Sequence, residues 1–424
     1  MQPLHVKTEF LVDGFMIEGK IASFSEETRV LLLQGPSSLF FKELGIALRA
    51  RGASVTRLGF CPGDRLYWSR RAGRFIRCAV AKDAFCKWIE QFLSTERPTD
   101  IVMLGDGRFY HRETLAVAKR LPVRPRFHII EHGLIRPGWI LVEPNGMGSA
   151  SIIPRTFRPS EQHEAPIAPA MVPSTFLRYA ALDVAYHTAG MMFGRCYNRH
   201  YVRHSIDPPH REYAGWVRKL LLRPRSLLGS TRDLRRIEDA DGRPVFLFPL
   251  QLESDFQIRD HGGGLNLREH LDRVLRSFAR QAPKDALLIV KRHPLDSGLT
   301  PWQQIISSAC LSLGIEDRVI YLERGVLQRL LDVSQGVITI NSSVGLQAIL
   351  RGIPCLTLGS AVFDLPGLTS PGSIDRFWRK RTPPDPVIAS RFHDFVLARY
   401  HVPGAFNGSG LRIGAATLAE RICA

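Results

Sequence analysis

The sequence predicts an α/β protein made of two Rossmann-like parallel-sheet domains that face each other across a cleft. Three features predict it. Short apolar strands alternate with helices in two separate runs, the pattern of parallel sheets covered on both faces. Between the runs, from Ile152 to Arg236, this rhythm breaks. Polar motifs follow several of the strands directly, at the sheet edge where such folds bind ligands.

In chain order, Arg29–Gly35 (R-V-L-L-L-Q-G) reads as a buried strand ending in a Gly-Pro turn. Phe40–Arg51 has helical periodicity, and Gly52 sits where a helix C-cap belongs. Ala53–Leu58 is the next strand, β-branched at Val55 and Thr56. Strand Asp100–Gly105, helix His111–Leu121 and strand Arg126–Glu131 follow. The second run opens with strand Pro244–Leu250 and the amphipathic helix Leu267–Gln281. It continues with strand Ala286–Lys291 and helix Pro301–Leu313, whose proline suits a first turn. Strand Arg318–Leu322, helix Gly325–Val333, strand Gly336–Ile340, helix Val344–Arg351 and strand Ile353–Leu358 complete it. The chain divides accordingly into a first domain over 1–154, a basic connector or helical insertion over 155–236, a second domain over 237–383, and a tail over 384–424 that folds back onto the first domain.

Composition narrows the classes. The 424 residues are 45% hydrophobic and 23% charged, which suits two or three domains with sizeable cores and argues against long disorder. Seven scattered cysteines form no C-x-x-C pair matched to a histidine cluster, which argues against a zinc site and suits a reducing cytoplasm. Lys7, Glu9 and Asp13 stand where a signal peptide needs an apolar run. No stretch approaches the ~20 apolar residues of a spanning helix. The net charge of +17 calls for an anionic partner. Nucleic acid, an anionic membrane surface and an anionic substrate all satisfy it.

The strand-end motifs supply the candidate site. Gln251–Asp255 (Q-L-E-S-D) puts two carboxylates, Glu253 and Asp255, after a strand; they read as a nucleophile or base, or as helix-capping acids. Lys291–Asp296 (K-R-H-P-L-D) puts His293 at a strand end, where Pro294 disfavours helix, with Lys291 and Arg292 beside it. The group suits a phosphate, or a basic surface turn. Asn341–Gly345 (N-S-S-V-G) places Ser342 and Ser343 at a helix start, as anion ligands, as caps, or as both. Glu131–Pro137 (E-H-G-L-I-R-P) aims Glu131 at the cleft from the first domain, or pairs it with Arg136. Gln34–Ser38 lacks the Walker lysine and the G-x-G-x-x-G spacing, so it reads as shaping the acceptor side and not as a P-loop. No D-x-D suggests metal-bound diphosphate. Arg65–Arg77 holds five arginines with Tyr67, Trp68 and Phe75. Arg195–Arg236 holds eleven Lys and Arg against three Asp and Glu. Both read as membrane-facing, at about 1 kcal/mol per basic residue near an anionic surface, or as solvated basic faces.

Together these motifs resemble the capsular polysaccharide synthesis family of Gram-negative bacteria. The resemblance rests on L-L-L-Q-G-P at 31–36, G-D-R-L-Y-W at 63–68, L-G-D-G-R at 104–108, E-H-G-L-I-R-P at 131–137, Q-L-E-S-D at 251–255, His293-Pro294 and N-S-S-V-G at 341–345. It runs in order over most of residues 29–370 and is weakest near 155–235. It implies a GT-B type, metal-independent, retaining β-Kdo transferase. The donor is CMP-Kdo and no cofactor is needed. The acceptor is a phosphatidylglycerol-type lipid, and the product starts the Kdo linker of a capsule. The single module implies the initiating kind of enzyme. By the same resemblance Asp255 is the nucleophile and Glu131 the acid/base. His293, Ser342 and Ser343 hold the CMP phosphate, with Gln251, Lys291, Arg292 and Asn341 around the donor in the second domain. Gln34, Arg65, Trp68, Arg70 and Arg71 are the candidates facing acceptor and membrane. Where the family more often has another residue before the Gly of E-x-G, this chain has His132. The implied partners are the inner face of the cytoplasmic membrane and other capsule-assembly proteins, with no nucleic acid. A UDP-sugar transferase or epimerase of the same architecture, and a non-enzymatic binder of nucleic acid or anionic polysaccharide, are the alternatives.

Overall fold

The computed structural model of the chain describes residues 27–167, 170, 176–203, 207–221, 237, 242–253 and 255–424. Lys7, Glu9 and Asp13, read above against a signal peptide, lie outside these residues, as do 204–206 and 222–236 of the second basic stretch.

Two sheets organise the molecule. The first has seven strands: β1 (Arg29–Leu32), β2 (Ser54–Gly59), β3 (Arg74–Arg77), β4 (Asp100–Leu104), β5 (Arg126–His132), β6 (Trp139–Glu143) and β12 (His401–Pro403). Their order is β12-β6-β5-β4-β1-β2-β3. The strands from β5 to β3 run parallel, while β6 and β12 add antiparallel pairs at the other edge. The second sheet is wholly parallel, β11-β10-β7-β8-β9. Its strands are β7 (Val245–Pro249), β8 (Leu287–Lys291), β9 (Val319–Leu322), β10 (Gly336–Thr339) and β11 (Cys355–Thr357). Every residue of β7, β8 and β10 is buried, as apolar runs in a two-sided sheet should be.

Helix Leu267–Gln281 shows how local signals set an element. Asn266 and Glu269 close a capping box at its start. Leu271, Val274, Leu275 and Phe278 then recur on one buried stripe against the second sheet. Helix Pro386–Tyr400 and strand β12 carry the tail across to the first sheet. His401 fixes that crossing, its Nδ1 2.6 Å from the Val396 carbonyl and its Nε2 accepting from the Leu134 N–H at 3.0 Å. Helix Gly410–Cys423 finally packs on helix Phe40–Ala50. One apolar cluster joins Leu31 and Met103 of the first sheet to Leu346, Phe363 and Phe392, so the two halves share packed core along one side of the cleft.

Among the described residues, the interval between the runs holds the short helix Ile153–Thr156 and the longer helices Phe176–Asn198 and Pro209–Leu221. Helix Phe176–Asn198 docks on the G-D-R-L-Y-W segment. Asp64, fully buried, pairs with Arg57 at 3.1 Å and accepts the Tyr186 hydroxyl at 2.8 Å. A Cβ at Gly63 would lie 2.5 Å from the Tyr186 ring, so glycine is what lets the helix approach. Among the described residues no helix is long and apolar enough to cross a membrane.

Candidate active site

The cleft between the sheets encloses a cavity of about 600 Å3. Its second-domain wall is built from three strand ends. After β7, Asp255 caps helix Phe256–His261, accepting the Gln257 N–H at 2.9 Å. Gln251 hydrogen-bonds Asp255 and exchanges two bonds with Asn341, giving Nε2 to its Oδ1 at 2.9 Å and accepting its N–H at 3.3 Å. Asn341 also donates to the Gln257 carbonyl at 2.8 Å. Gln251 and Asn341 thus tie the loops after β7 and β10 together and fix the helix that presents Asp255. Glu253 points elsewhere, toward Thr300 and Arg268.

After β8, Lys291, Arg292 and His293 line the same wall. Burial pulls the Lys291 amine down to about 8. Arg292 is largely committed to Glu323 at 3.0 Å, although its buried Nε has no partner among the described residues. The His293 Nδ1 accepts the Leu295 N–H at 3.1 Å, which leaves the proton of a neutral ring on Nε2. Burial, reinforced by Arg136, lowers the ring to about 4. His293 is therefore a neutral donor and not a standing cation. After β10, Ser342 and Ser343 line the cleft, with the Ser342 hydroxyl accepting the Val344 N–H at 3.3 Å as the helix cap. Capping and ligand contact are compatible, since the hydroxyl keeps its own proton.

The first-domain wall faces this with Glu131 at the end of β5. Its Oε1 accepts the His132 N–H at 2.9 Å, and burial raises its carboxyl above the usual range. Burial also raises Asp255, and the nearby charge of Glu131 adds to that. Arg136 belongs to both: its Nε is held by the Gly133 carbonyl at 3.1 Å, and its charge acts on Glu131, Asp255 and His293. Deeper in the wall Glu143 is 1% exposed. Ser151 holds one of its oxygens, the other has no partner among the described residues, and burial pushes it up to about 7.

Helix Phe256–His261 is the join between the walls. A Cβ at Gly107 would stand 2.6 Å from the Phe256 ring, one residue past Asp255. Gly105, at φ +62, also brings its backbone close to that ring and to the Glu131 carboxylate. Arg259 donates to the Gly107 carbonyl at 3.0 Å, and the His261 ring fills the space a side chain at Gly148 would need. The L-G-D-G-R loop is thus a seat for the helix that carries Asp255.

The cleft gathers Asp255, Glu131, Gln251, Lys291, Arg292, His293, Asn341, Ser342 and Ser343. It does not include the five residues assigned to acceptor and membrane. Gln34 is buried, donating to the Tyr201 hydroxyl at 2.8 Å and the Tyr186 hydroxyl at 3.2 Å, and so anchors the inserted helix. Trp68 is buried too, under the Arg57 guanidinium with its indole N–H on the Gly73 carbonyl at 3.1 Å. Neither can meet a lipid surface. Arg65, Arg70 and Arg71 are exposed, with Arg65 lying over the Phe75 ring. Arg136 and Glu143 went unassigned in the sequence reading. Arg136 had a signal, five residues after Glu131 in one motif, whereas Glu143 ends a strand that no sequence pattern marked. Among the described residues no cluster of three or more His, Cys, Asp or Glu side chains is arranged to hold a metal ion.

Two Rossmann-like parallel-sheet domains facing across a cleft form the GT-B arrangement. Residues 99–407 match the family described as "Capsule polysaccharide biosynthesis protein". The chain is 28% identical to the Escherichia coli "Capsule polysaccharide export protein KpsS" over 89% of its own length and 96% of that protein's. It is 29% identical to the "Capsule polysaccharide modification protein LipB" of Neisseria meningitidis serogroup B, over 89% and 91% of the two chains. Among solved structures, "Thermosulfurimonas dismutans KpsC, beta Kdo 2,7 transferase" aligns over 94% of this chain and 98% of that one, with 14% identity and a TM-score of 0.42. With the family match covering residues 99–407, well over half of its length, this chain belongs to the capsule polysaccharide biosynthesis family.

Proposed function

We propose that the protein is a retaining glycosyltransferase that moves Kdo from CMP-Kdo to a phosphatidylglycerol-type lipid, starting the Kdo linker of a capsular polysaccharide. The observation that carries this reading is the meeting of Glu131 and Asp255 from opposite domains in one cleft, with Arg136 acting on both. The site would act at the inner face of the cytoplasmic membrane.

In the first step an Asp255 oxygen attacks the anomeric carbon of Kdo. The bond to the phosphate oxygen breaks, and CMP leaves with the electron pair. In the second, Glu131 takes the proton of the lipid's glycerol hydroxyl, whose oxygen attacks the same carbon and expels Asp255. Two inversions give retention, the logic of retaining glycosidases. CMP is a good leaving group and needs stabilised charge more than a strong acid. Lys291 supplies that charge, and neutral donors from His293 Nε2, Ser342 and Ser343 supplement it. Arg136 suits the Kdo carboxylate, because a planar guanidinium pairs with a carboxylate through two parallel bonds. The test is incubation with CMP-Kdo and a fluorescent phosphatidylglycerol analogue. One added sugar and released CMP are expected; turnover of a UDP-sugar with no reaction of CMP-Kdo would refute the assignment.

A further inference from the structure

Outside the cleft a groove of about 500 Å3 lies between helices Phe176–Asn198 and Pro209–Leu221. Its walls are mostly apolar and aromatic, with Tyr179, Val184, Tyr213, Trp216 and Val217 from the helices and Leu295 from the loop after β8; the one carboxylate among them, Asp183, is taken up by the hydroxyls of Ser37 and Tyr213. The same two helices expose apolar side chains to water. Leu177 is 78% exposed, Val217 58% and Leu221 74%. On the longer helix Met191, Met192 and Phe193 are exposed as well. Exposed apolar side chains gathered on the two helices that wall an apolar groove point to an interaction site.

The groove is continuous with the candidate active site. Leu295 lines both, two residues from His293. Lys219 closes the junction, donating to the carbonyls of Pro294 and Asp296 at 3.0 Å each while its amine lies over the Trp216 ring. Arg324 also lines the groove, directly before Gly325 of the cleft, and its buried Nε has no partner among the described residues. An apolar trough thus ends in two cations beside a sugar-transfer cleft.

We propose that this groove holds an acyl chain of an anionic phospholipid, with Lys219 and Arg324 meeting its phosphate and the headgroup hydroxyl reaching the cleft. The inference rests on the lipid-acceptor reading and adds the place where the tail is held. The exposed apolar side chains of the two helices would rest at the bilayer interface, with Tyr179, Tyr213 and Trp216 at the depth where aromatic residues collect.

The test uses the full chain with vesicles of phosphatidylglycerol carrying brominated acyl chains, which quench nearby indoles. The protein has six tryptophans, so the signal is read as the difference between wild type and Trp216→Phe. The expected result is loss of most of the emission that Trp216 contributes, and no such loss with unbrominated lipid. The double variant Val184→Glu, Val217→Glu should abolish this quenching. It should also lower transfer to diacyl acceptor, relative to transfer to the deacylated headgroup, by about tenfold. Should that variant not fold, the Trp216→Phe comparison decides alone. Absence of Trp216-dependent quenching overturns the proposal, as does a dimer that the double variant dissolves without any lipid effect. Quenching without sugar transfer would leave the groove standing and refute the proposed function. Transfer to diacyl lipid without quenching would do the reverse.

Discussion

On the proposed mechanism Asp255 serves two ends. It caps helix Phe256–His261, and the same bond from Gln257 holds its carboxylate still on the cleft wall. Capping and nucleophilic attack use different oxygen lone pairs, so the structural role does not compete with the chemical one. Charge in the proposed phosphate site is set by Lys291 more than by His293. With His293 lowered to about 4, that ring is neutral at physiological pH, whereas Lys291, at about 8, is still charged. Lys291 loses its proton as pH rises through about 8. CMP affinity is therefore expected to fall above that pH, by roughly ten- to a hundredfold for one lost charge-assisted bond. Calorimetric titration across this range should show the fall in the wild type, whereas Lys291→Met should bind weakly at every pH. A fall that persists in Lys291→Met would place the titrating group elsewhere. Arg136→Met is expected to raise KM for CMP-Kdo more than it alters binding of CMP, because CMP lacks the Kdo carboxylate.

At the scale of elements, two short motifs prove to be seats for helices. The L-G-D-G-R loop receives Phe256, so Gly107→Ala must push that ring, and Asp255 with it, out of position. A displacement near 1 Å costs about a hundredfold in kcat. Steady-state kinetics should show this loss with CMP binding retained, since the proposed mechanism holds CMP on the loops after β8 and β10. The G-D-R-L-Y-W segment seats the long inserted helix through Asp64. Removing Asp64 leaves Arg57 buried without its partner, and Asp64→Ala is expected to lower unfolding free energy by about 3–5 kcal/mol in urea titration. The sequence could not separate this role from membrane contact. Arginines interleaved with aromatics look alike whether a guanidinium lies over a buried ring, as Arg57 does over Trp68, or faces a lipid surface. The inserted helix was equally hard to read. Leu182 and Tyr186 turn inward while Leu177, Val184 and Met191 stay outside, so no single apolar stripe marks it.

Across the whole molecule, the parallel strands were the most legible part. Continuous apolar runs such as Val245–Pro249 and Leu287–Lys291 have few alternatives in a chain of this composition, and the polar residues that follow them fall at the cleft. The short edge strands were not legible. β3 is a four-residue arginine-flanked edge, and β12 is three residues that become a strand only through pairing with β6. Sites follow from strand ends, whereas edges and insertions depend on tertiary partners that local sequence does not encode. The cleft itself is a property of both halves together, since neither sheet alone supplies both carboxylates. The most direct test of that convergence is intact-mass spectrometry of the protein with CMP-Kdo and no acceptor, run alongside Asp255→Ala. The account predicts one Kdo residue added to the wild type at Asp255, and in the variant no addition and no lipid glycosylation although CMP still binds. Wild-type rates of Kdo transfer by Asp255→Ala would contradict it.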